Sequence, residues 1–189
     1  MRHSRRIHTE IVEPLILTAR LEHGSLTYFE QLRQQHFPPE RNFVPAHVTL
    51  FHALPGGNRG AITSQLREMT RRETPMEGGA YKLQFLGKGV AFAVDCARLF
   101  SLRAALAEIW SGDLTPQDSQ KPHFHITVQN KVSPVEARAL LDALQGDFKP
   151  RPLVFIGLDL WRYMGGPWSF VEGFSFYGGE QTETRGEAD

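Results

Sequence analysis

The chain has 189 residues, 41% of them hydrophobic, and its 21 Lys and Arg balance its 21 Asp and Glu. This suits a folded domain with an ordinary core; the even charge excludes wholesale attraction to a long nucleic-acid backbone and leaves room for a nucleotide or a short RNA end. The single cysteine excludes an internal disulfide and a thiolate zinc site, and no apolar stretch approaches the roughly 20 residues of a membrane span.

The N-terminus, MRHSRRIHTE, is basic and lacks the apolar segment of a signal peptide. Residues 1–10 read as a flexible lead-in, and the expected location is the cytoplasm, with no membrane contact. Residues 11–20, IVEPLILTAR, predict a strand, with Pro14 marking an edge or a bulge. Residues 25–36 predict a helix, with Ser25 as its cap and Tyr28, Phe29 and Leu32 as its apolar stripe. Residues 46–54, AHVTLFHAL, predict a strand that ends at Pro55-Gly56-Gly57. Residues 60–73 predict a helix with Arg67, Arg71 and Arg72 near its end, either solvated or a nucleic-acid patch. Strands follow at 80–87 and 90–96, joined tightly at Lys88-Gly89. The second of these ends at Cys96, which reads as a small buried hydrophobe.

The pattern then recurs. Residues 98–111 predict an apolar helix and 123–131, HFHITVQNK, a strand. Ser133-Pro134-Val135-Glu136 reads as a cap, a first-turn proline and a capping-box acid, and Gly146 stops the helix behind it. The last strands are 153–163 and 168–176, and the tail from 177 to 189 has the composition of a disordered segment. Helices alternating with hairpin-linked strands favour an α+β fold with largely antiparallel sheet. The near-repeat of element order suggests two pseudo-symmetric lobes with helices outside and a central cleft, within a single domain of residues 11–176.

Two segments carry chemistry: His47-Val48-Thr49-Leu50 and His125-Ile126-Thr127-Val128. Chance placement would produce about 0.02 matches to His, any residue, Thr with aliphatic residues at both even positions, so two matches are no accident. In a strand, residues i and i+2 lie about 7 Å apart on one face. His47 and Thr49 therefore face one way, as do His125 and Thr127, while Val48, Leu50, Phe124, Ile126 and Val128 anchor the strands. If two lobes bring these strands together, two imidazoles and two hydroxyls converge on one cleft. Imidazole titrates near neutrality, so one ring can accept a proton while the other donates one. Threonine hydroxyls can hold the non-bridging oxygens of a phosphate.

The two motifs, about eighty residues apart, with their flanks VPAHVTLFHALPG and KPHFHITVQNKV, resemble the 2H phosphoesterase superfamily, in particular its bacterial and archaeal 2′-5′ RNA ligase-like branch, the RNA 2′,3′-cyclic phosphodiesterases. The resemblance covers roughly residues 10–176 in element order. It implies a bilobal α+β fold and the opening of 2′,3′-cyclic phosphates on RNA ends or nucleotides to 2′-phosphates, with reversible 2′-5′ ligation in some relatives. The acid–base pair needs no metal, no cofactor is expected, the expected partner is a small nucleotide or RNA terminus, and the chain is expected to be a monomer. His47 and His125 would be the acid–base pair, with His125 the base and His47 the acid, and Thr49 and Thr127 would hold the phosphate. Relatives often carry Arg five residues after the second His; here that position is Asn130, and strand alternation puts Gln129 and Lys131 on the cleft side, so Lys131 is the expected substitute.

Other residues have two readings. His123 shares a face with His125; it lines the cleft or is merely exposed, and no Asp or Glu stands near either motif to complete a metal set. Phe51 points with His47, to stack a base or to pack a wall. On strand 153–163, Val154, Ile156, Leu158 and Leu160 read as core, while Phe155, Asp159, Trp161 and Tyr163 line the cleft or the open side of an edge strand. Trp168, after Gly165-Gly166-Pro167, is a lid or a packing anchor. His52 falls with Val48 and Leu50 and reads as a hydrogen-bonded core histidine; His3, His8, His23 and His36 read as solvated. Three competing functions stay open: a 2H enzyme for another phosphodiester (a 2′-5′ oligonucleotide or a cyclic ribose phosphate), a non-catalytic phosphate- or RNA-binding module, and a histidine metal hydrolase.

Overall fold

Eleven regular elements follow one another in the computed structural model, which describes residues 12–177. The segments expected to be a flexible N-terminus and a disordered tail lie outside the described residues, apart from Tyr177. The elements are β1 (Leu15–Leu21), α1 (His23–His36), β2 (Val48–Leu54), α2 (Arg59–Thr70), β3 (Met76–Phe85), β4 (Val90–Asp95), α3 (Ala97–Ile109), β5 (His125–Gln129), α4 (Pro134–Gln145), β6 (Arg151–Tyr163) and β7 (Trp168–Ser175). Each predicted element is present, with ends that move by a few residues. Pro14 does not mark an edge, although the β1–β2 ladder shifts register just after it, between Leu15 and Leu17. It precedes β1, where its missing N–H costs no ladder bond, and β1 lies between β2 and β6. Helix α1 starts earlier than Ser25 because Glu22 caps it, accepting hydrogen bonds from the backbone of Gly24 and Ser25. The capping box at Ser133 and Glu136 is formed as its sequence predicts.

All strands pair antiparallel in one sheet of order β2-β1-β6-β3-β4-β5, with β7 on β6. Exchanging β1 with β4, β2 with β5 and β3 with β6 reverses this order and leaves it otherwise unchanged. The fold is therefore α+β with two related lobes. Long strand β6 joins them: Arg151–Phe155 pairs with β3, Gly157–Tyr163 pairs with β7 on the same edge, and β1 runs along the other edge. The sheet curls until its terminal strands β2 and β5, which carry the two motifs, approach each other. Helix α1 lies against β5 and β6, and α4 against β3 and β4. As the shared spine, β6 is buried on both faces. Phe155, Asp159 and Trp161 are at most 8% exposed, so that face is neither cleft lining nor an open edge.

Edge-to-face rings of Tyr28, Phe29 and Phe92 tie α1 to β4 across the cleft-bearing strands. The β3–β4 turn spans Leu86 to Gly89, closed by a 2.9 Å bond from the Leu86 N–H to the Gly89 carbonyl. Gly87 adopts φ 82° there, a region that disfavours any side chain with a Cβ. A Cβ on Gly89 would meet the Gln129 carbonyl at 1.9 Å, so glycine lets this turn lie directly against the end of β5. Cys96 is buried, with burial raising its thiol, as expected of a packing residue.

Candidate active site

His47 immediately precedes β2 and His125 opens β5. Simple alternation describes only the first three residues of each motif. In the β1–β2 ladder, Ala19 faces Val48, Thr18 faces Thr49, and Leu17 then faces Phe51, so Leu50 is an extra residue. In the β4–β5 ladder, Ala93 faces His125, Phe92 faces Ile126, Ala91 faces Thr127, and Val90 then faces Gln129, so Val128 is extra. Both motifs thus carry a bulge directly after the threonine, and each reverses the facing of the residues just beyond it; in β2 a second shift, between Phe51 and Leu54, turns Leu54 back into the core.

Three expectations change for this one reason. Phe51 turns inward, is fully buried, and packs edge-on to Trp110 with the Arg103 guanidinium 4.5 Å from its ring centre; it does not line the cleft. Gln129 turns inward, is 6% exposed, and its Oε1 has no partner. His52 turns outward instead of entering the core, and its Nδ1 lies 3.1 Å from the buried Asp118 carboxylate. Asn130, the residue that alternation turned away, lines the cleft beside Lys131, and Lys131 holds a left-handed φ of 62°.

The two histidines have matching local geometry. His47 Nδ1 lies 2.7 Å from the Pro45 carbonyl, and His125 Nδ1 lies 2.9 Å from the His123 carbonyl, each two residues upstream. A carbonyl only accepts, so Nδ1 carries the hydrogen in both rings and Nε2 is left for chemistry. His47, Thr49 and Thr127 line a cavity of about 490 Å³ together with Lys131, Arg33 and Trp168, within the range of small-molecule sites. His125 lines an adjoining pocket that shares Thr49. Burial chiefly pushes His47 down to about 4, opposed by its bond to Pro45 and reinforced by the charges of Arg33, His125 and His52.

His47 is accordingly neutral at neutral pH in the free protein. Between pH 6.5 and about 4 the unfolded chain binds a proton at this residue that the folded chain refuses, so stability falls on acidification through that window. A ring-resolved NMR titration should find His47 uncharged well below pH 6, and His47→Gln should flatten the acid slope of stability. His47 is half-buried and lines the cavity, so a midpoint near 6.5 would show that the cavity leaves the ring well hydrated.

Trp168 stands over His47 at 5.2 Å between ring centres and lines the cavity with Gly166 and Pro167, making it a wall of the site. Phe43, 63% exposed, lines the same cavity. Trp161 does not; it is 8% exposed and donates its Nε1–H to Thr18 Oγ1 at 2.9 Å. Tyr163 is exposed at the end of β6, outside the cavity lining. His123 is exposed and lines the adjoining pocket. His23 is exposed, whereas His36 is half-buried, and burial pushes it down; His3 and His8 lie outside the described residues. Arg67 pairs with Glu172 and Arg72 with Glu68, while Arg71 is exposed and makes no ion pair among the described residues. Among the described residues no three His, Cys, Asp or Glu side chains are grouped to hold a metal ion, and no helix is long and apolar enough to cross a membrane.

Two buried arginines escaped the sequence reading. Arg33 of α1 is 4% exposed and donates to the Thr127 carbonyl at 2.8 Å, to Asn42 Oδ1 at 2.7 Å and to the Val44 carbonyl at 2.8 Å. It ties the second motif to the segment leading into the first. Arg103 of α3, 5% exposed, donates to the carbonyls of Leu50 and Asp118. Helix α1 therefore holds the bulged strand β5, and α3 the bulged strand β2. A signal was present: Arg33 follows Phe29 by four residues, and Arg103 lies four after Leu99 and three before Leu106, so both sit on apolar faces.

A family model described as the 2′-5′ RNA ligase superfamily matches residues 22–167. No curated protein sequence matches the chain. Among solved structures, TT0787 of Thermus thermophilus is similar at 15% identity and a TM-score of 0.58, over 88% of this chain and 100% of that one. E. coli LigT complexed with 3′-AMP is similar at 17% identity and a TM-score of 0.56, over 87% of this chain and 98% of that one. A structure described as a phosphoesterase gives 16% and 0.56 over the same shares. At these identities the likeness establishes a shared fold.

Proposed function

The chain belongs to the 2′-5′ RNA ligase superfamily, and we propose that it is a metal-independent phosphodiesterase that opens a 2′,3′-cyclic phosphate on a nucleotide or RNA end to a 2′-phosphate. The observation that carries this reading is the matched pair: each histidine commits Nδ1 to a carbonyl two residues back, keeps Nε2 for chemistry, and has a threonine on the same face two residues on. That arrangement supports in-line displacement at one phosphorus.

In the proposed step a water oxygen bonds to phosphorus as the bond from phosphorus to O3′ breaks. The base imidazole takes the water proton on Nε2, and the acid imidazole gives its Nε2 proton to the departing O3′. Each transfer contributes about 10²–10⁴-fold. Thr49 and Thr127 donate to the non-bridging oxygens, Lys131 adds positive charge, and Trp168 with Phe43 offers ring surface to a base. A 5′-hydroxyl in place of water would produce a 2′-5′ link by the same step. LigT was solved with 3′-AMP, which favours a nucleotide ligand for this fold.

With His125 as base, His47 must acquire a proton. A phosphate anion about 4 Å away favours the imidazolium by roughly 4 kcal/mol at an effective dielectric near 20, or about three pH units. Binding thus loads the acid. Adding a nucleoside 2′-phosphate should raise the His47 midpoint from about 4 toward neutrality; no movement on saturation would assign His47 to the base.

The proposal is tested by incubating the protein with 2′,3′-cyclic nucleotides and cyclic-phosphate-ended oligonucleotides in EDTA, reading the product by ³¹P NMR. Undiminished turnover to 2′-phosphates is expected. Loss in chelator would indicate a metal hydrolase, and absence of turnover would favour a binding module.

A further inference from the structure

Beside the main cavity lies a smaller pocket of about 40 Å³ that contains Thr49 and His125 of the reaction above, while the rest of its lining has no part in that reaction. The remaining polar side chains there are His52, His123, Arg103, Gln117 and Gln120, with one acid, Asp118, whose carboxylate is 1% exposed and engaged by hydrogen bonds. One ordered water needs roughly 10–15 Å³ on such a measure, so the pocket suits a group the size of a phosphate and excludes a base. We propose that this pocket is a second phosphate subsite, holding the phosphate one nucleotide unit from the one being opened, with His52 as its principal ligand. The inference rests on the reading above only in placing the first phosphate between His47 and His125.

Three observations carry it. First, His52 is presented and fixed. The bulge at Leu50 turns it out of the core, its side chain is 49% exposed, and Asp118 anchors it from behind. The Asp118 carboxylate, 1% exposed, accepts from the backbone N–H groups of His52 and Ala53 at 2.9 Å each and from the His52 ring. Burial opposes the charge of Asp118, but these hydrogen bonds outweigh it and hold the carboxyl below its usual range. With Nδ1 held on that carboxylate, the ring keeps Nε2 on the side away from Asp118, where it can meet a phosphate oxygen.

Second, the pocket is the counterpart of the main cavity under the internal two-fold. His52 follows Thr49 by three residues and Asn130 follows Thr127 by three, each just past its bulge. Asn130 and Arg33 line one pocket; His52 and Arg103 line the other. A symmetric frame thus presents two polar pockets flanking the paired rings, and in the second a histidine stands where the first has a neutral amide.

Third, the pocket leads onward. Through Pro122 and His123 it adjoins a groove of about 800 Å³ lined by Lys82, Lys121 and the exposed ring of Tyr81. Asp95 is the one acid in that lining. Two cations and an aromatic ring are what a short nucleic-acid strand meets in a binding channel.

The second phosphate can be an internucleotide diester or the 5′-phosphate of a mononucleotide. Calorimetry on the parent protein and His52→Asn should compare adenosine 2′-phosphate, adenosine 2′,5′-bisphosphate and a dinucleotide ending in a 2′-phosphate. Asn keeps an amide near Asp118 and lacks the reach of Nε2; His52→Ala serves as the second variant, because Asp118 retains its two backbone donors. The second phosphate should tighten binding about tenfold in the parent protein, and either variant should abolish most of that ratio. A gain from the dinucleotide alone identifies the diester as the ligand, and a gain from the bisphosphate alone the terminal phosphate. Equal affinities in the parent protein, a gain that survives both variants, or an equal loss on all three ligands would overturn the proposal. Because the readout is product binding, a His52-dependent gain without turnover would refute the catalytic reading and leave this subsite standing.

Discussion

Replacing His47 or His125 with alanine should lower kcat on a cyclic-phosphate substrate by about 10²–10⁴-fold, and replacing both should cost far less than the product of the two losses. In the proposed mechanism the two rings act on one displacement, so once either proton transfer is lost the other has little left to assist. Product affinity should change by no more than several-fold, because Thr49, Thr127 and Lys131 still line the cavity. The split between kcat and affinity is what matters. A phosphate-binding module would show the reverse, with weakened binding and no turnover to lose. Rapid-mix turnover of the four proteins, with competition binding of a nucleoside 2′-phosphate, measures both quantities.

Replacing Arg33 with alanine should destabilise the fold by about 3–5 kcal/mol, the range expected when one buried cation that satisfies several acceptors is removed. Its guanidinium serves the carbonyls of Thr127 and Val44 and the Asn42 side chain from a position 4% exposed to solvent. Arg33→Lys should rescue little, since a single ammonium cannot reproduce the planar fork that reaches three acceptors. The effect on activity comes from position. Val44 lies three residues before His47, and Thr127 belongs to the other motif, so this one side chain ties together the chain segments that carry the two motifs. Residual folded protein should therefore show a reduced kcat, not merely a reduced yield. Denaturant midpoints for both variants test the first part; a change below about 1 kcal/mol would show that the cross-lobe tie is dispensable.

The repeated motif made the site's centre legible. Periodicity puts His and Thr on a common strand face in both places, and the coordinates place Thr49 and Thr127 in one cavity with His47. The doubled element order likewise anticipated the two lobes, which the palindromic strand order displays. What escaped was whatever depends on a single inserted residue. Nothing in Thr49-Leu50-Phe51 or Thr127-Val128-Gln129 announces a bulge, since aliphatic and aromatic residues suit either face of a strand. Yet the bulges decide that Phe51 and Gln129 are core and that His52 and Asn130 face outward. Asp118 was also hidden, because it lies in the irregular stretch between α3 and β5, where no period exists to assign a face. Trp161 misled because alternation presumes one open face, and β6 has none: its role as the shared spine buries both.

The most direct test follows the ring nitrogens of His47 and His125 by ¹⁵N NMR as a nucleoside 2′-phosphate is added. Both Nε2 signals should shift with a single dissociation constant and one ligand per chain. If only one ring responds, or the two respond with different constants, the imidazoles do not serve a common phosphoryl group.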